Sequence, residues 1–176
     1  MANGKKCWAR VVPASTMLIG NMQMNWENSE LCFQSLMSAT CMMLGDSREL
    51  NNEKLVWFKQ WSDWAKQMQN KYNYTQYYQT SDVFTRPEIN GWDGCARINP
   101  EKGGLLFFYR NNSLEQERVF PIVWLDDDSQ YRIYSSLSED FLGEFSGKEL
   151  KTKGLKVTIA QPNSANILEI EKVTQK

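Results

Sequence analysis

The apolar positions of the chain change period near its middle. Trp8–Val12 and Thr16–Ile19 are short β-rich apolar runs broken by Pro13 and Gly20, the pattern of buried strands. From Glu27 to Leu44 the apolar residues Leu31, Cys32, Phe33, Leu36, Met37, Ala39, Met42, Met43 and Leu44 nearly encircle a helix, which predicts a segment covered on more than one side. Gly45 ends it, and Asn51 or Asn52 can cap the next helix, from about Glu53 to Tyr72. There Trp57, Trp61, Trp64, Met68 and Tyr72 recur at helical spacing, with Phe58 and Ala65 beside them. A stripe of this regularity is what core packing produces, whereas Lys54, Lys59, Asp63 and Lys66 form a solvated face.

After the aromatic, polar stretch that ends at Arg86-Pro87, period-2 alternation takes over. Seven short strands are predicted: Cys95–Ile98, Leu105–Tyr109, Glu117–Trp124, Gln130–Tyr134, Gly143–Phe145, Leu155–Ile159 and Ile167–Ile170, separated by turn material such as Gly103-Gly104, Asp126–Ser129, Ser146-Gly147-Lys148 and Pro162-Asn163-Ser164. Strands of this length and spacing predict an antiparallel sandwich or barrel-like sheet. The expected fold class is α+β, with residues 1–80 and 81–176 as two units.

Composition removes chemistries more than it supplies them. The chain of 176 residues has no His, which excludes Ser-His-Asp and Cys-His nucleophile systems and imidazole metal sites. With 21 acidic and 20 basic residues, and no basic stripe, it offers no attraction to nucleic acid. No apolar run reaches the roughly 20 residues of a membrane span, and no signal-peptide pattern opens the chain. Cys7, Cys32, Cys41 and Cys95 lack metal-site spacing. On a common helix, Cys32 and Cys41 would face opposite ways about 13 Å apart along the axis, too far to bridge. Neither metal nor cofactor is expected. Any hydrolytic chemistry must come from carboxylates. Asp46, Asp93 and Asp126-Asp127-Asp128 are the candidates, the last three read as a turn.

The order of the pieces carries a resemblance. Thr16-Met-Leu-Ile-Gly20-Asn-Met-Gln-Met-Asn-Trp26, a buried helix, Cys41-Met-Met-Leu-Gly-Asp46 and a helix with Trp57-Phe-Lys-Gln-Trp61-Ser-Asp-Trp64 resemble the closing units of a glycosidase (β/α)8 barrel. Beyond residue 80, Trp92-Asp-Gly-Cys-Ala-Arg-Ile-Asn-Pro100, Gly104-Leu-Leu-Phe-Phe-Tyr-Arg-Asn111 and Gly154-Leu-Lys-Val-Thr-Ile-Ala-Gln-Pro162 are similar to the C-terminal β-sandwich that follows the barrel in α-galactosidase-like (clan D type) glycoside hydrolases. The resemblance implies that residues 1–80 are the end of a barrel and 81–176 an accessory sandwich. In that family the catalytic nucleophile and acid are carboxylates on earlier barrel strands. No segment here corresponds to them, so no catalytic residue is assigned and the chain is expected to be inactive alone.

Substrate-facing residues of such barrels cluster at the carboxyl ends of the strands. Gln23, Asn25 and Trp26 follow the seventh strand of the resemblance and Asp46 the eighth, so these would line a sugar subsite. Trp92 and Asp93 would contact sugar or sit between barrel and sandwich. The implied partners are a carbohydrate and the missing N-terminal barrel portion or a partner chain, and the parent enzyme would be periplasmic or secreted. A closed barrel needs eight strand–helix units and about 250 residues, so the chain reads as a C-terminal fragment. Two other classes compete. A carbohydrate-binding module requires at least two exposed aromatics among Trp92, Tyr109, Trp124 and Tyr131. A self-contained α+β interaction protein would pack its two helices across the sheet.

Overall fold

The computed structural model describes residues 18–21, 40–43, 52–77 and 91–174. Two short strands come first, β1 (Leu18–Asn21) and β2 (Thr40–Met43), paired in parallel with Leu18 opposite Thr40. A parallel pair cannot be joined by a tight turn and needs a crossover of a dozen or more residues; residues 22–39 intervene. The helical reading of Glu27–Leu44 therefore fails over its last turn, because Thr40–Met43 is a strand. A run that is apolar on every side suits a buried parallel strand as well as a buried helix, and periodicity does not separate them. Cys41 lies on β2, so the argument from a helix shared with Cys32 lapses; Cys32 and the run Trp8–Val12 lie outside the described residues.

Helix α1 (Asn52–Tyr72) runs as its stripe predicts and leads into a 3-10 turn at Tyr74–Gln76. All seven predicted strands then form: β3 (Trp92–Asn99), β4 (Gly103–Arg110), β5 (Glu117–Phe120), β6 (Gln130–Ser135), β7 (Phe141–Ser146), β8 (Leu155–Thr158) and β9 (Ser164–Lys172). Five make an antiparallel sheet in the order β3-β4-β9-β6-β7, and β5 with β8 makes a second, antiparallel pair. Strand β5 ends at Phe120 rather than Trp124, since Pro121 has no N–H for a ladder. A short helix, α2 (Gly147–Thr152), fills a stretch read as turn. Its signal is in the sequence: Ser146 and Glu149 have capping-box spacing, and the Ser146 hydroxyl accepts from the Glu149 amide at 3.1 Å.

Every residue of β3 and β4 is buried because this half of the five-stranded sheet is covered on both faces. On one side Ala96, Ile98, Leu106, Phe108, Leu168 and Ile170 pack against Phe120, Ile122, Leu150, Leu155 and Val157, which closes the sandwich. On the other, Cys95, Leu105, Phe107, Tyr109 and Ile167 receive Phe58, Trp61, Trp64, Met68 and Tyr72 of α1. Trp57, Trp61 and Trp64 meet edge to face in succession, with centroids 6.3 and 5.8 Å apart, a favourable geometry for ring quadrupoles.

Two local devices fix this arrangement. The β3–β4 hairpin turns through Pro100–Lys102: the Asn99 side chain accepts from the Glu101 amide at 3.0 Å, and Gly103 follows at φ +106°. A Cβ there would stand 2.1 Å from the Ile170 carbonyl oxygen, so both conformation and space demand glycine. The second device is Arg110, buried and, among the described residues, without a carboxylate partner. Its guanidinium donates to the carbonyls of Ser113, Ile159 and Ala160 at 2.7–3.0 Å, tying the β4–β5 loop to the end of β8 through a donor fork that suits several acceptors at once.

Candidate functional site

The residues singled out from sequence fall in two places. Gln23, Asn25, Trp26 and Asp46 lie outside the described residues; in the chain they follow the carboxyl ends of β1 and β2. Trp92 and Asp93 are neighbours on β3 and therefore point to opposite faces. Trp92 is in the inter-sheet core, where its ring meets Phe120 edge to face and its Nε1 donates to the Glu115 carbonyl at 3.1 Å. Asp93 lies on the α1 side of the sheet, 1% exposed, and its Oδ1 accepts from the Gly94 amide at 2.7 Å. The two do not converge on one ligand.

Of the four aromatics a stacking platform would use, Trp92, Tyr109 and Tyr131 are buried and Trp124 is half-buried. They cannot present two exposed rings. Asp126 behaves as a turn residue: it accepts from Ser129 Oγ at 2.7 Å and from the Asp128 amide at 3.3 Å. Those bonds, the Ser129 one foremost, with Lys172 nearby, hold its carboxyl below the usual range.

The densest polar chemistry was not singled out from sequence. It lies where the last turn of α1 meets β9. The alternation Leu168-Glu169-Ile170-Glu171 sends the apolar residues into the sandwich and both carboxylates to the α1 face. Lys71 Nζ reaches Glu169 at 2.8 Å and Glu171 at 3.0 Å, and the buried Tyr72 hydroxyl donates to Glu169. Burial, reinforced by the Glu169 carboxylate, pushes the Tyr72 hydroxyl far above its ordinary pKa. Burial works against the Lys71 charge, but its bonds to Glu169 and Glu171 outweigh that and raise its pKa. The phenol thus stays neutral and the ammonium charged, an arrangement that clamps helix to sheet. Arg97 and Asn99 extend the clamp: the guanidinium donates to the Tyr77 carbonyl at 2.7 Å, and the Asn99 amide to the Tyr72 carbonyl at 3.1 Å. Period-2 reading could have placed Glu169 and Glu171 on one face; which helix residue they meet depends on packing that no local pattern encodes.

The whole arrangement recurs in known structures. The galactosidase domain of the α-galactosidase-sucrose kinase AgaSK superposes on 96% of this chain with a TM-score of 0.70 and 14% identity. The GH36 α-galactosidase AgaA from Geobacillus stearothermophilus, in its stachyose complex, covers 98% with a TM-score of 0.71 and 14% identity. This chain has the fold of part of a GH36 α-galactosidase. It spans about a quarter of those chains, 24% and 25% respectively. An α-galactosidase from Lactobacillus brevis (TM-score 0.67, 11% identity, 90% of this chain, 22% of that one) shares the same fold. No family model matches the sequence, and no curated protein does. Among the described residues of this α-galactosidase-like fold, no group of three or more acidic or thiol side chains is placed to hold a metal ion, and no helix is long and apolar enough to cross a membrane.

Proposed function

We propose that this chain is the C-terminal portion of a GH36-like α-galactosidase, with β1 and β2 as the last two strands of a (β/α)8 barrel, α1 as its closing helix, and the sandwich as an accessory unit that covers and braces it. The boundary between the two units falls near residue 80. The observation that carries the reading is the extent of the match: one α-galactosidase structure accounts for 98% of this chain, from the parallel pair through the sandwich. The clamp from Lys71 and Tyr72 to β9 supports it, since it fixes the helix to the sandwich in one orientation.

On this reading Gln23, Asn25, Trp26 and Asp46 line a sugar subsite at the barrel mouth, where loops after the strands of such barrels carry substrate contacts. Asp93, on the α1 face of the sheet, belongs to the contact between sandwich and barrel, and Trp92 anchors the same strand from behind. The nucleophile and the acid come from strands beyond these 176 residues, so the chain alone does not hydrolyse glycosides. The test is release of nitrophenol from an aryl α-galactoside, by the chain alone and by the chain joined to six preceding strand–helix units. The expected result is activity only in the second case. Release by the chain alone that vanished on mutating one of its own carboxylates would overturn the proposal. A self-contained α+β interaction protein is the second reading, favoured by the packing of α1 across the sheet; it predicts a monomer that unfolds in one cooperative transition.

A further inference from the structure

A helix with its side chains is about 10 Å across and neighbouring strands lie about 4.8 Å apart, so α1 can cover only two or three of five strands. It covers β4 and β9 through Leu105, Phe107 and Ile167, and residues 74–77 extend the cover to β3 through Arg97. The same face of β6 and β7 becomes the floor of a groove with α1 as its wall. A cleft of about 190 Å³ opens there, with Gln67 and Lys71 on the helix side, Tyr134, Glu169 and Glu171 on the floor, and Glu139 at the end. Tyr134 packs in turn against Phe141, its partner across the β6–β7 ladder, with ring centroids 5.7 Å apart, and Phe141 is 59% exposed.

The carboxylates of this cleft are not a bare acidic cluster. Lys71 sits against Glu169 and Glu171, and the Gln67 amide approaches Glu139 at a long 3.5 Å, a contact weak enough to exchange for a ligand. The result is an array of alternating donors and acceptors beside two aromatic rings. Neutral polyols fit such an array: their hydroxyls donate to carboxylates and accept from ammonium and amide groups, while the C–H face of a pyranose ring lies on an aromatic. The volume is below the 300 Å³ or so at which drug-sized ligands begin, which limits the occupant to a single ring.

We propose that this cleft, between the second half of α1 and the β6–β7 hairpin, binds one pyranose unit of a neutral carbohydrate. It does not depend on the galactosidase reading, since a sandwich with no enzymatic role could carry it. The experiment is an amide-resolved NMR titration of the full chain with methyl α-galactopyranoside and methyl β-glucopyranoside, with sorbitol and spermidine as controls. The expected result is saturable shifts at Lys71, Tyr134, Glu139 and Phe141 with a pyranoside, at a Kd on the order of millimolar. Phe141→Ala, at an exposed position, weakens binding about two- to tenfold, and Gln67→Ala weakens it without altering the remaining spectrum. The proposal is overturned if neither pyranoside shifts these amides, if sorbitol shifts them equally, or if Phe141→Ala leaves the titration unchanged. It is also overturned if spermidine displaces the sugar, which would make the cleft a cation site.

Discussion

At the scale of single residues, Tyr72 and Lys71 show how a short polar patch can hold a large apolar contact in register. The Tyr72 hydroxyl donates to the buried Glu169 carboxylate, which keeps Lys71 as a second donor, so Tyr72→Phe should cost about 1.5–3 kcal/mol, the worth of a hydrogen bond to a charged group. The denaturant midpoint should fall with the m-value unchanged. The folded chain also raises the pKa of both Tyr72 and Lys71. A group with a raised folded pKa contributes stability in full below its unfolded pKa and loses that contribution as pH rises toward the folded value. Alkaline destabilisation is therefore expected to set in above about pH 10, where free Tyr and Lys titrate. The double variant Tyr72→Phe, Lys71→Met should flatten the stability profile in that range, as thermal melts at successive pH values would show. Trp64 is a contrasting case, buried with an indole N–H that meets no acceptor among the described residues. Trp64→Phe removes that unpaired donor along with some apolar area, so the two effects oppose, and the net change should stay within about 1 kcal/mol.

At the scale of elements, legibility followed the physics of each pattern. Helix α1 was readable because one stripe faces a sheet and the other faces water. The seven strands were readable because turn residues bracket each of them, even β3 and β4, whose burial on both faces leaves no alternation of exposure. Period alone makes Thr40–Met43 helical because its apolar run has no alternation to betray a strand, whereas the resemblance places a strand just before Asp46, as found. Helix α2 was missed because its capping box lay in a stretch that also reads as turn, and six residues are too few to show a period. Of the candidate site, the chain-order argument could bring Trp92 and Asp93 together only as neighbours. Strand geometry separates them. The Lys71–Glu169 contact spans the chain from α1 to β9 and had no local signature at all.

At the scale of the molecule, the decisive contact is α1 on the outer face of the five-stranded sheet. Removing residues 1–77 would uncover Cys95, Leu105, Phe107, Tyr109 and Ile167 together, an apolar patch of the kind that soluble monomers rarely leave open. The shortened chain should bind hydrophobic dyes and associate, as light scattering would show, whereas a chain that begins at residue 46 keeps the cover and should remain monodisperse. The covering helix thus belongs energetically to the sandwich.

Strand β4 has a hydrogen-bonded neighbour on each edge and protein on each face. Its amides have no local route to water, since neither fraying nor lifting of a single layer releases both of its edges. Deuterium uptake at Leu105, Leu106, Phe107 and Phe108 should therefore be the slowest in the chain and should report the free energy of global opening. Uptake at the edge strand β7 should run ahead of it. The interval between the two clocks would measure how far the rim of the sheet can open while its centre stays shut.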